Sequence, residues 1–159
     1  MKLLIKQKVF ALTSTYDVYD EDGNPKYYVK HEAFSVPCTV HVKDRNGKEI
    51  GRITQEWMSL LPMYHIEIGG IPYGSIERKF SLIHPKYDLD YNGWRCEGDF
   101  LTWNYDVYEG CSCVAHISKE LFRWGDTYAI DIADPEDEIV AMMLVIAIDM
   151  ANSAQKKHT

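Results

Sequence analysis

The strongest constraint on this chain lies near its C-terminus, where Ile139 to Ile148 are ten apolar residues without a break. Just upstream, Asp134-Pro135-Glu136-Asp137-Glu138 reads as a helix start. Asp serves as N-cap, Pro takes the first helical position, and carboxylates face the positive end of the helix dipole. Lys156 and Lys157 suit the opposite end. A helix apolar on every face cannot lie on a surface; it must be embedded in lipid or enclosed by protein. A bilayer span needs about twenty apolar residues, and Asp149 would be expensive at mid-membrane. The run therefore predicts a buried helix over about 135–154 and no transmembrane span. Its core positions are Ile139, Val140, Met142, Met143, Leu144, Val145, Ile146 and Ile148.

The rest of the chain supplies what encloses it. From Val9 to Ile132 short runs rich in Val, Ile, Tyr, Phe, Trp and Thr alternate with turn chemistry. Asp22-Gly23-Asn24-Pro25, Asn46-Gly47, Gly69-Gly70, Asn92-Gly93 and Glu109-Gly110 supply the positive φ that tight hairpins need. Between them the period is two, as in Thr39-Val40-His41-Val42-Lys43, Tyr64-His65-Ile66-Glu67-Ile68 and Tyr105-Asp106-Val107-Tyr108, which places one apolar face inward and one polar face outward. About twelve strands are expected over residues 8–133. So many hairpinned strands in one small domain, here residues 1–159, must close on themselves or expose sticky edges. A barrel of that size has a lumen too wide for its own side chains to fill. The expectation is mainly β: a closed antiparallel barrel of about twelve strands around a central C-terminal hydrophobic α-helix.

Charge narrows the partners. Seventeen basic against 24 acidic residues give a net charge of −7, a field that repels nucleic acid and anionic lipid except at a local basic patch. No nucleic-acid partner is expected. Met1-Lys2-Leu3-Leu4-Ile5-Lys6 is too short an apolar stretch for a signal peptide, and no Asn-x-Ser/Thr sequon occurs. Cys38, Cys96, Cys111 and Cys113 are read as reduced thiols of a cytoplasmic protein, since a chain of this size needs no staples.

No catalytic motif assembles. An EF-hand alignment of Asp20-Glu21-Asp22-Gly23 would put Val18 and Val29 at ligand positions that require carboxylates, so this is a hairpin turn. Gly110-Cys111-Ser112-Cys113-Val114 lacks the final Gly of a nucleophile elbow and sits between strands. Cys111 and Cys113 are expected to be small buried hydrophobes, with no metal site, because a second pair of soft ligands is missing. His31, His41, His65, His84 and His116 are expected singly on strands, facing outward or hydrogen-bonded. Asp88/Asp90 and Glu97/Asp99 each share a strand face, as a two-carboxylate hydrolase would want and as a solvated acidic edge would also look. Trp57, Trp94, Trp103 and Trp124 suit wedging the helix or stacking on a ligand. Lys43, Arg45, Lys48 and Arg52 cluster around Asn46-Gly47, with Arg78-Lys79 farther on; they suit either an anionic headgroup or protection of a strand edge.

Several segments resemble the LURP-one-related proteins, which belong with the tubby C-terminal domain and the phospholipid scramblases. These are residues 1–10, Val18 to Pro25, Trp124-Gly125-Asp126-Thr127-Tyr128-Ala129-Ile130-Asp131-Ile132, and Ile146-Ala147-Ile148-Asp149. The resemblance spans essentially the whole chain and implies a twelve-stranded barrel around a C-terminal helix. Tubby-like domains bind phosphoinositides through a strand of pattern Ile-Gly-basic-x-basic. Here Ile50-Gly51-Arg52-Ile53-Thr54 matches, with Thr54 at the second basic position. The cysteine- and proline-rich N-terminal regions and calcium segment of scramblases have no counterpart. The resulting expectation is a non-enzymatic, tubby-like binding or scaffold module without cofactor or metal, cytoplasmic or peripheral at a membrane. Its partner would be an anionic phospholipid or a protein, and its candidate ligand-binding residues are Lys43, Arg45, Lys48 and Arg52. The rival is a small hydrolase using a surface carboxylate pair. A carrier with an empty lumen is incompatible with the helix.

Overall fold

The computed structural model describes residues 1–6, 15–32, 34–122 and 125–156. The two-residue period produces strands as expected: Val40, Val42, Tyr64, Ile66, Tyr105 and Val107 are all buried while their neighbours face outward. The first six strands are β1 (Lys2–Lys6), β2 (Thr15–Tyr19), β3 (Pro25–Glu32), β4 (Thr39–Asp44), β5 (Glu49–Gln55) and β6 (Met63–Ile68). The others are β7 (Ile71–Lys79), β8 (Lys86–Tyr91), β9 (Trp94–Asp99), β10 (Asn104–Glu109), β11 (Ser112–Phe122) and β12 (Gly125–Ile132).

All twelve form a single antiparallel sheet in the order β8-β7-β6-β5-β4-β3-β2-β1-β12-β11-β10-β9. The first and last strands join through Leu3 opposite Ile130. Because the strands alternate in direction, the connections after even-numbered strands gather at one pole and those after odd-numbered strands at the other. The first is a turn pole of tight Gly-containing turns. The second is a loop pole, whose described connections are 34–38, 56–62, 80–85 and 100–103.

A 3-10 turn over Pro135–Asp137 leads into α1 (Glu138–Lys156), and the carboxylate of Asp134 caps the amide of Glu136 at 3.0 Å. The helix enters at the turn pole, where the Tyr27 hydroxyl donates to Glu138 (2.7 Å) and the Tyr91 hydroxyl to the carbonyl of Val140 (2.6 Å). It reaches the loop pole at Asn152. Met142, Met143, Leu144, Val145, Ile146 and Ile148 are buried, and Ile139 and Val140 are half-buried at the entrance. The fit is close: a Cβ on Gly51 of β5 would lie 2.5 Å from the Met143 thioether.

Two details differ from the sequence reading. The strands begin at Lys2, ahead of residue 8, because Leu3, Leu4 and Ile5 are all buried between β2 and β12; Val9, within 7–14, lies outside the described residues. The barrel is also nearly rather than fully closed. Asn92 and Gly93 take the positive φ expected of a hairpin (54° and 67°), yet β8 and β9 form the two ends of the sheet order. Aromatic bulk occupies the seam. Tyr91 and Trp94 both turn inward, with centroids 6.0 Å apart, and Tyr87 meets Phe100 edge-on at 5.2 Å. A cavity of about 500 Å³ opens there, lined by His84, Lys86, Tyr87, Cys96, Asp99 and Phe100.

Candidate ligand-binding site

The β4–β5 turn is built from one carboxylate. Asp44 accepts from the amides of Asn46 (2.8 Å) and Lys48 (3.0 Å), and Gly47 completes the turn at φ 79°. This fixes Arg45 at the tip. On the adjacent strand Tyr28 lies opposite Lys43 and Tyr27 opposite Asp44. Between them is a cavity of about 360 Å³ at the turn pole, whose lining includes Lys26, Tyr28, Lys43, Asp44, Arg45 and Asp17.

The charges in this cavity are unequally committed. Lys26 pairs with Glu138 at 2.5 Å, and Glu138 also holds the Tyr27 hydroxyl, tying the rim to the start of α1. Burial, followed by that bond to Glu138, pushes the Tyr27 phenol well above its ordinary value. Asp44 is engaged by turn amides. Among the described residues no carboxylate lies within ion-pair distance of Lys43 or Arg45. Two cations beside an aromatic face therefore remain available to an anion.

Of the four basic residues singled out in the sequence, the structure brings Lys43 and Arg45 together at this cavity. Lys48 sits on the same turn, outside the lining. Arg52 is separated from them by a bulge between Val42 and Lys43, which sets Lys43 opposite Glu49 and Arg52 opposite His41. Its guanidinium binds Glu49 at 2.8 Å, and His41 engages the same carboxylate. The hydrogen bond from Arg52 is the main reason the Glu49 carboxyl falls below its ordinary value. Thr54 lies opposite Thr39 and His65, toward the loop pole.

The carboxylate pairs stand on the outer faces of the two seam strands. Asp88 pairs with Lys79 and Glu97 with Arg95. Asp99 is held below its ordinary value because the Thr102 side chain and the amides of Leu101 and Thr102 outweigh its desolvation, the opposite of what a general acid needs. Cys111 and Cys113 are exposed, contrary to the expectation of buried hydrophobes. Cys111 belongs to the Gly110 turn itself, and the Cys113 thiol faces outward beside Asp106. Cys96 is the desolvated thiol, pushed up to about 12 by burial and so a poor nucleophile. Trp94 and Trp103 are buried, whereas Trp57 is exposed; Trp124 lies outside the described residues.

Sequence reasoning missed Lys26 and Tyr28 as cavity walls, and it missed the strand-to-loop pair His65–Glu56 and the cross-strand pair His116–Asp106 (2.9 and 2.6 Å). Their only signal is register. Among the described residues no three His, Cys, Asp or Glu side chains group as a metal site, and no helix is long and apolar enough to cross a membrane.

A nearly closed barrel of twelve antiparallel strands threaded by one apolar helix defines the class. Residues 1–149 match the LURP-one-related family, and the chain belongs to that family. It is 31% identical over 150 residues to the uncharacterised protein YxjI of Bacillus subtilis, covering 94% of this chain and 93% of that one. The X-ray structure of an Arabidopsis thaliana protein superposes with a TM-score of 0.63 at 18% identity, covering 94% of this chain and 90% of the other. That likeness is one of fold.

Proposed function

We propose that the protein is a non-enzymatic binding module that holds a phosphate-type anion at its turn pole through Lys43 and Arg45. The observation carrying this reading is that these two cations share one cavity with no described carboxylate in ion-pair distance of either, while Lys26 and Asp44 beside them are engaged by Glu138 and by turn amides. Tyr28 adds an aromatic wall for the carbon skeleton of the ligand. The anion is either a soluble phosphate ester or the headgroup of an acidic lipid, the chemistry being the same. Arg52 has no part in it, since Glu49 neutralises it. Enzymatic use of the carboxylates is disfavoured because Asp88 and Glu97 are ion-paired and Asp99 is shifted toward the ionised form.

The test is calorimetric titration with inositol hexakisphosphate, run beside flotation on vesicles containing phosphatidylinositol phosphates. Saturable binding to the soluble probe, weakened about tenfold or more by Lys43→Ser or Arg45→Ser but unchanged by Arg52→Ser, is expected for the loss of one charge-assisted hydrogen bond. Vesicle binding with the same variant profile would assign the anion to a lipid. Binding that ignores both variants would sink the proposal.

A further inference from the structure

The loop pole carries a different surface. Its connections 34–38, 56–62, 80–85 and 100–103 hold large apolar side chains in the open, and the loops are twice or more as long as a two-residue turn requires. Phe34, Val36, Trp57, Met58, Leu60, Phe80, Leu82, Ile83 and Leu101 range from 46% exposed at Leu101 to fully exposed at Leu60. These loops are anchored at their bases. The amide of Glu56 donates to the Met63 carbonyl at 2.8 Å, Arg78 to the Pro62 carbonyl at 2.8 Å, and Asp99 caps the Leu101 amide at 2.9 Å.

Sheet order makes the surface contiguous. The β3–β4, β5–β6 and β7–β8 loops follow one another every second strand, roughly 10 Å apart, and the β9–β10 loop faces the β7–β8 loop across the seam. The three aromatics alone present on the order of 350–500 Å² of apolar area, already the size of the largest patch on an ordinary monomer.

Charge identifies what covers it. In a chain that is 26% charged, these four loops contain no Lys, Arg or Asp, and their single carboxylate, Glu56, is engaged by His65 at 2.9 Å. The charged residues nearest these tips, Glu32, Lys79, Lys86 and Asp99, stand at the loop bases on the strand ends, a placement that leaves charge at the water level of a bilayer while apolar tips insert. A crown of convex, uncharged tips with Trp57, Phe34 and Phe80 among them matches the headgroup–acyl boundary of a bilayer, where aromatic rings concentrate. We infer that the loop pole is a membrane-docking surface that inserts Trp57, Leu60, Phe80, Leu82 and their neighbours into the interface of a neutral, zwitterionic bilayer. Binding is driven by apolar burial, so it needs no anionic lipid. The crown points away from the Lys43–Arg45 cavity. A docked molecule therefore keeps that cavity in water, and the two surfaces cannot engage one leaflet together.

The experiment is flotation of the full chain with vesicles of pure phosphatidylcholine at low and high salt. Wild type should float equally at both. Trp57→Ser, Leu60→Ser, Phe80→Ser and Leu82→Ser combined should weaken binding by at least about a hundredfold, from the lost side-chain burial, while melting like wild type. Lys43→Ser with Arg45→Ser should float like wild type, and Trp57→Phe should remove a lipid-induced blue shift of tryptophan emission. The inference is overturned by no flotation on neutral vesicles, by unaltered flotation of the quadruple variant, or by self-association in sedimentation that the quadruple variant abolishes. Flotation confined to anionic vesicles and lost in the Lys43/Arg45 variant would overturn it while supporting the anion cavity.

Discussion

The side-chain amide of Asn152 donates to the backbone carbonyl of Phe100 at 2.9 Å, with Asn152 94% buried. The Tyr87 hydroxyl donates to the same side chain. Tyr87 lies on β8 and Phe100 directly follows β9, so one amide on the helix joins the two strands that share no ladder. The helix both fills the barrel and clamps its seam.

Replacing Asn152 by Ala should therefore strand two buried polar groups and destabilise by about 1–3 kcal/mol. The denaturant midpoint measures the loss, and amide exchange on β8 and β9 should rise before that on β4 and β5. Uniform exchange across the sheet would show that the seam is held by something else.

Ile146 is 2% exposed within the apolar run. Ile146→Asp buries an unpaired charge and should cost at least ~3 kcal/mol or prevent folding. Ile146→Val, which keeps the shape, should cost only about 0.5–1.5 kcal/mol. Thermal melts of the two variants separate charge burial from packing.

The interior tyrosines divide by partner. Tyr91 donates to the Val140 carbonyl at 2.6 Å, whereas the buried hydroxyls of Tyr64 and Tyr105 have no hydrogen-bond partner among the described residues. Tyr91→Phe should destabilise by about 1 kcal/mol, while Tyr105→Phe should be neutral or stabilising because it removes an unmatched polar group. Equal losses in equilibrium unfolding would contradict this division.

Stability should fall on both sides of neutrality, for opposite reasons. Hydrogen bonds, first from the Asn24 amide to Asp20 and from Arg52 to Glu49, lower these carboxyls in the folded state. The unfolded chain then binds more protons as the pH drops, so their contribution, present above the ordinary carboxylate range, is lost as pH falls through their folded values. Burial raises Tyr64 to about 12 and Tyr105 well above its ordinary value. The unfolded chain releases those protons first, so stability is full below about pH 10 and declines as pH rises through the folded values. Phenolate absorbance should show these two rings ionising only with unfolding, and Tyr64→Phe should flatten the alkaline slope.

Much of this architecture is legible in the chain itself. Val40, Val42, Tyr64 and Ile66 point inward because alternation leaves no other arrangement, and the Asp20 turn folds back on the Asn24 amide as its Asx-Gly chemistry requires. Ten consecutive apolar residues in a helix can be satisfied only by enclosure. These are local rules, and local sequence suffices to apply them.

Tertiary structure decided the rest. A bulge at Val42 and Lys43 leaves Lys43 with Arg45 and hands Arg52 to Glu49, although the four bases look equivalent along the chain. Asn92-Gly93 makes its turn, yet the rings of Tyr91 and Trp94 meet only once the barrel curves, and the strands beyond them part. Trp57 suits a wedge against the helix in sequence; only the common pole of alternate connections shows that it stands in the open with Leu60 and Phe80. Periodicity reports which face a residue takes. Register, closure and pole depend on pairings between distant segments, and those exist only after the sheet has folded around its helix.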